Sequence, residues 1–265
     1  MSGGATAWPL HREVRTEQPR RAFVAQLMGL PISVHVRGPR ATGAEVAALV
    51  HLAFATLAAD EATFSTYRPD STISAIRRGD LRLDLAGPRV QEVVALCAEA
   101  TRRTHGAFCA WLPDVDGRPA FEPSGLVKGW AVEQAFEALC TQLAELGPHD
   151  TLINAGGDIA VRCARSDTPD WRIAIEDPRR RSRTLRVLSL RNGAVATSGT
   201  AARGAHIVDP ATGAPAGGVL SATVAGPSLL WADVYATAAF VDTGRAAGWL
   251  RSFPDYRAIV VPLTV

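Results

Sequence analysis

GLVKGWAVEQAFEALCTQLAELGPHDTLINAGGDIAVRC, residues 125–163, contains the change of period on which the fold turns. In its first half, Val132, Phe136, Leu139 and Leu143 recur at three- and four-residue spacing, so they share one face of a helix that Gly147 stops. Beyond Pro148 the apolar positions alternate instead. TLINAGGDIAVRC reads as one strand ending near Asn154, a sharp Ala155-Gly156-Gly157 turn, and a second strand starting at Asp158. A Gly-Gly hairpin needs no ligand, although paired glycines also permit close approach of backbone to a partner.

The chain on either side extends this division. Upstream, RAFVAQLMGLPISVHVRG suggests two short strands bent at Gly29 and Pro31. GAEVAALVHLAFATLAADEATFS has helical spacing, Pro69-Asp70-Ser71 marks a turn before a short helix, and PRVQEVVALCAEATRRTHG is a helix opening on Pro88. GAFCAWLPDVDGRPAFEPSG reads as loop. Downstream, WRIAIEDP, TLRVLSL, GAVATSG, HIVDP and VLSATVAG are strand-sized; SLLWADVYATAAFV and GRAAGWLRSF return to helix, and YRAIVVPLTV closes as a strand. Helices gather before residue 147 and strands after it, without a βαβ rhythm. The expected class is α+β, with antiparallel sheets and helices packed around them. Residues 1–20 read as a loose leader and 21–265 as a single domain.

Composition narrows the function classes. With 265 residues, 47% of them hydrophobic, the chain can bury a large core. Its net charge of +2 is spread over short clusters (RRAF, IRRG, ATRRTH, DPRRRSR) expected in turns or at helix ends, so nucleic-acid binding is not signalled. Cys97, Cys109, Cys140 and Cys163 show no ligand spacing. The start lacks a basic region followed by an apolar run, and no apolar segment approaches a bilayer-spanning length, so a cytoplasmic protein without a membrane span is expected. Lys128 is the single lysine among 28 basic residues. Where arginine is otherwise used throughout, one compact ammonium on a flexible stem is a candidate functional group.

Two motifs could carry chemistry around it. SGLVKGWAVE places Lys128 one turn into a helix whose first N–H groups favour anions, which suits a phosphate, although no Walker sequence is present. In SLLWADVYATAAF, Asp233 and Thr237 stand four residues apart on one helical face. One anionic and one neutral oxygen suit magnesium, which keeps several waters and shares substrate phosphates. VATSGTAARGAHIVDPATGAP adds a small-residue loop that could line a cofactor pocket, with His206 as a hydrogen-bond donor.

Taken in order, MGLP at Met28, FSTYRPDSTIS at Phe64 to Ser74, GAF at Gly106, SGLVKGWAVE, LINAGGDIAV, TSG…HIVDPATGAP and WADVYAT resemble the ApbE family, the FAD:protein FMN transferases. The resemblance runs from about residue 24 to the C-terminal strand. It implies binding of FAD and Mg2+, cleavage of the pyrophosphate with release of AMP, and transfer of FMN to a threonine or serine hydroxyl of an acceptor redox protein. It also implies residue roles: Met28, Tyr67, Ala107, Phe108 and Cys109 lining the flavin or adenine pocket, and Glu122 preceding the lysine motif. Lys128 would reach the FAD phosphates and His206 and Thr212 would lie against FAD. Gly125, through its carbonyl, Asp233 and Thr237 would hold magnesium, and Asp233 is the candidate base by proximity.

Four positions depart from the family pattern: Cys109 replaces the aspartate of GAFD, Glu122 replaces an aspartate, and Ala201 and Ala202 replace a tyrosine and a charged residue. The same residues would also serve an FAD pyrophosphatase, with water in place of the acceptor hydroxyl, or a flavin-binding module without turnover.

Overall fold

The computed structural model describes residues 18–113, 116–199 and 207–263. Its centre is a seven-stranded, wholly antiparallel sheet of β1 (Arg20–Leu27), β2 (Leu30–Arg37), β5 (Asp150–Ala155), β6 (Asp158–Arg162), β9 (Asn192–Gly199), β10 (Val219–Gly226) and β11 (Arg257–Pro262), in that spatial order. Short hairpins stand apart from it: β3 (Trp111–Pro113) with β4 (Pro119–Phe121), and β7 (Trp171–Asp177) with β8 (Arg180–Leu190). The helices are α1 (Ala44–Phe64), α2 (Thr72–Arg78), α3 (Pro88–Arg103), α4 (Ser124–Glu145), α5 (Leu229–Val241) and α6 (Thr243–Leu250).

Alternation along the strands decides what each face of the sheet covers. Ile153, Ala160, Ala194, Ala196, Ala222 and Val224 point into the main core with α1, α4 and α5. The run of alanines at these positions lets α4 and α5 lie close to the sheet. The intervening residues Val161 and Val195, with Leu152, Ile159 and Ala225, pack on the other face against Ile173, Trp171, Leu188 and Leu190 of the β7–β8 hairpin. A one-residue slip in any central strand would exchange these two sets.

Tight turns fix the register at one end of the sheet. Leu27 pairs with Leu30 across Met28 and Gly29, which have φ of 55° and 72°. Ala155 pairs with Asp158 across Gly156 and Gly157, which have φ of 63° and 105°. Both turns fit the left-handed type I′ geometry that matches strand twist, and Gly156 N–H donates to Pro31 C=O at 3.2 Å, so they lie side by side. The C-terminal end of β9 and the start of β10 arrive at this same end, where Gly199 pairs with Ser221.

The α+β class is as expected, and four details differ. β1 and β2 join the strands of the second half in one sheet, because β2 pairs with β5. The segment read as loop contains the β3–β4 hairpin. Of HIVDP, the described part forms only an isolated bridge, Val208 to Pro215. The DPRRRSR cluster, expected in a turn, has Arg180, Arg181 and Arg183 inside β8, because the hairpin continues past the sheet with its arginines in solvent. In addition, α1 has 21 residues and contains an 18-residue window of mean hydropathy 1.3, enough by length and composition to cross a membrane, contrary to the expectation that no segment would be. Here its Val46, Val50, Ala53 and Leu57 stripe is buried in the core.

Candidate functional site

Strand alternation turns Asp158 and Ser198 toward the helix layer, while α4 and α5 bring Lys128, Asp233 and Thr237 to meet them. Lys128 Nζ donates to Asp158 Oδ2 and stands 3.4 Å from Asp233 Oδ1. Asp158 Oδ1 accepts from Thr197 N–H at 3.1 Å, which fixes that carboxylate to β9. One turn beyond Asp233, Thr237 Oγ1 shares a 3.1 Å hydrogen bond with Ser198 Oγ. The centre therefore holds one ammonium, two carboxylates and two hydroxyls contributed by four elements.

Asp233 is the strained member. It is 3% exposed, and its Oδ2 has no hydrogen-bond partner among the described residues. Burial pushes its carboxyl up to about 7; the Lys128 ammonium pulls the other way, and the Asp158 charge adds to the rise. An orphaned, buried carboxylate oxygen is costly unless a further cation or donor reaches it. Magnesium fits this donor set, because it takes one or two carboxylates, tolerates a neutral hydroxyl and completes its shell with water and phosphate. Among the described residues no three His, Cys, Asp or Glu side chains gather to hold a metal, so few protein ligands are on offer.

Gly129 explains how α4 and α5 come this close. A Cβ there would stand 2.9 Å from Asp233 Cβ, 3.0 Å from Asp233 Oδ2 and 3.2 Å from Leu229 C=O. Gly129→Ala must push α5 away from Lys128. A loss of about 1–3 kcal/mol in urea unfolding is expected; an unchanged protein would mean the contact is loose.

The start of α4 carries the next group. Glu122 accepts from Arg77 Nη1 at 2.6 Å and from the Ser124 hydroxyl, tying α2 to the first turn of α4. Gly125 lies in that turn against Phe108, whose Cε2 would be 3.2 Å from a Cβ at position 125. The Gly125 carbonyl is committed to the helix, so it can serve a metal only through its second lone pair. Ala107 and Phe108 are buried, and Phe108 N–H donates to Thr104 Oγ1 at 3.0 Å, which anchors the GAF segment to the end of α3. Cys109 Sγ engages the backbone of Trp111 instead of offering a carboxylate.

The remaining expected residues lie farther out. Met28 forms the β1–β2 turn at the site end of the sheet and packs against the core. Tyr67 is 95% exposed, with its backbone N–H held by Ser65 Oγ, so the structure does not bring its ring to the centre. Thr212 sits in a turn closed by Gly213 N–H on Asp209 C=O at 2.8 Å, with Gly213 against Pro113 of the β3–β4 hairpin. His206 falls outside the described residues, as do Ala201 and Ala202. Sequence reasoning assigned no role to Asp158, Ser198 or Gly129. The signals were present: Asp158 directly follows the Gly-Gly turn, Ser198 sits in TSG, and Gly129 adjoins the lone lysine.

The antiparallel sheet, with the Lys128–Asp158–Asp233 cluster at one end where two helices meet, defines an α+β architecture. The chain belongs to the ApbE family, whose profile matches residues 116–260. It is 34% identical over 128 residues to an FAD:protein FMN transferase of Vibrio cholerae serotype O1, a match covering 44% of this chain and 37% of that one. A Haemophilus influenzae FAD:protein FMN transferase is 32% identical over 129 residues, covering 44% and 36%. The matched stretch thus spans little more than a third of each relative's length. Among solved structures, the flavin transferase ApbE from Vibrio cholerae superposes with a TM-score of 0.76 at 21% identity, covering 93% of this chain and 94% of that one. The Thermotoga maritima ApbE protein gives 0.75 at 19% identity, covering 92% and 94%.

Proposed function

We propose that the protein is a magnesium-dependent FAD:protein FMN transferase that places FMN on a threonine or serine hydroxyl of an acceptor redox protein and releases AMP. The observation that carries this reading is the Lys128–Asp158–Asp233 centre with the orphaned Asp233 oxygen and Thr237 one turn away. Phosphoryl transfer asks a protein mainly for alignment and charge neutralisation. Magnesium, when bound, would neutralise pyrophosphate charge and ease departure of AMP. Asp233 and Thr237 would hold it by their side chains, with Gly125 contributing its carbonyl. Lys128, oriented by Asp158, would present its ammonium to the phosphates. The Met28 turn, Ala107, Phe108, Cys109 and Glu122, with Tyr67, His206 and Thr212, are the proposed FAD contacts. Asp233 is the proposed acceptor of the hydroxyl proton, on its proximity to the phosphates Lys128 would hold.

The test follows AMP and covalent flavin fluorescence after incubation with FAD and Mg2+, with and without a threonine-bearing acceptor protein. Transfer requires both signals and a dependence on acceptor. AMP without labelled acceptor would favour hydrolysis by water, and bound FAD without AMP would favour a flavin-binding module.

A further inference from the structure

Glu133 lies one turn beyond Gly129 on α4, and its carboxylate is spent on the neighbouring helix. Oε1 accepts from Leu229 N–H at 2.9 Å; Oε2 accepts from Ser228 Oγ at 3.0 Å and from Leu230 N–H at 3.3 Å. Ser228 Oγ itself caps α5 by accepting from Trp231 N–H at 3.3 Å. The first N–H groups of a helix have no partner within it. The first turn of α5 has no acidic residue of its own, and α4 supplies one.

We propose that Glu133 is a positioning residue that fixes the register of α5 on α4, and with it the placement of Asp233 and Thr237 opposite Lys128 and Gly125. The proposal rests on the reading of that centre as a cation and pyrophosphate site. The Gly129–Asp233 contact sets how closely the helices approach, but one close contact leaves them free to pivot or slide about it. A second, directional contact a turn away removes that freedom. Hydrogen bonds to a charged acceptor are the strong, orienting kind, and a carboxylate at a helix N-terminus is also favoured by the helix dipole. Displacements of about 1 Å at a reacting centre cost as much as 10²-fold in rate, so a register device has leverage well beyond its own contacts.

The test compares Glu133→Ala, Glu133→Gln and a control, Phe136→Leu, which truncates a buried side chain on the same helix outside the clamp. Two quantities are read on the full chain: the Mg2+ concentration giving half-maximal thermal stabilisation in the presence of FAD, and that giving half-maximal AMP release. Glu133→Ala should raise both at least tenfold. Glu133→Gln should raise them less than threefold, because its carbonyl still accepts from Leu229 N–H and its amide donates to Ser228 Oγ. Phe136→Leu should lower the melting temperature without moving either midpoint. Wild-type midpoints in Glu133→Ala, or an equal shift in Phe136→Leu, would overturn the positioning role alone. Wild-type protein that is neither stabilised by Mg2+ with FAD nor able to release AMP would overturn the underlying reading of the site.

Discussion

An Asp233→Asn protein is expected to lose AMP release from FAD by about 10³-fold, the scale on which a charged transition-state contact is worth having, while folding at least as well as wild type without Mg2+. The two halves of this result share one cause. Asparagine keeps the volume between Gly129 and Leu229 but removes a charge that burial disfavours. In wild type the folded-state pKa stands above its ordinary value of 3.8, so the native state binds the proton more tightly than the unfolded chain does. That contribution is complete below pH 3.8 and is lost as pH rises through about 7. Thermal melts of Mg2+-free protein should therefore show a decline in stability over this window in wild type that Asp233→Asn lacks. Mg2+ with FAD should raise the melting temperature of wild type only. An Asp233→Asn protein with full activity would remove Asp233 from the chemistry.

Lys128→Met is expected to act in the opposite direction on stability. Its ammonium is the shared partner of Asp158, 2% exposed, and of Asp233, 5% exposed at the side chain. Without it two like charges face each other in a low-dielectric setting. The cost should be about 2–4 kcal/mol, somewhat below the ~3–5 kcal/mol of breaking a fully buried pair, because a quarter of the Lys128 side chain remains exposed. Urea unfolding at pH 7 reads this directly, and adding Asp158→Asn should recover part of the loss by removing one of the two charges. Phosphate alignment is lost as well, so AMP release should fall about 10²-fold in both variants. A Lys128→Met protein as stable as wild type would mean that neither carboxylate depends on the lysine.

How much of this was legible in the sequence follows from the range of each interaction. The helices α4 and α5 and the Gly156-Gly157 hairpin are local, so periodicity and turn chemistry reveal them. That Asp233 and Thr237 share a face is helix geometry. What periodicity does not carry is which elements meet. Asp158 as the anchor of Lys128, Ser198 as the partner of Thr237, and Gly129 as the point of closest approach all depend on strand order and helix packing. Tyr67 was assigned by resemblance alone, and its exposed ring in this structure is set by the Ser65–Ser71 turn, where the Ser71 hydroxyl donates to Ser65 C=O at 2.5 Å. The arginines of β8 misled because charge density resembles a turn, whereas here it lies on a solvent-exposed strand paired with β7.

The strand order has a consequence in time as well as in space. β2 is held to β5 by contacts such as Arg37 to Asp150, 113 residues apart, and α5 packs against β9 and β10, which come from different stretches of the chain. Such non-local topology folds slowly, because loop-closure entropy comes due before the contacts that offset it. A chain growing from its N-terminus makes Lys128 and Asp158 long before Asp233. During synthesis, then, the ammonium and its first carboxylate can meet before Asp233, the second carboxylate of the centre, has been made.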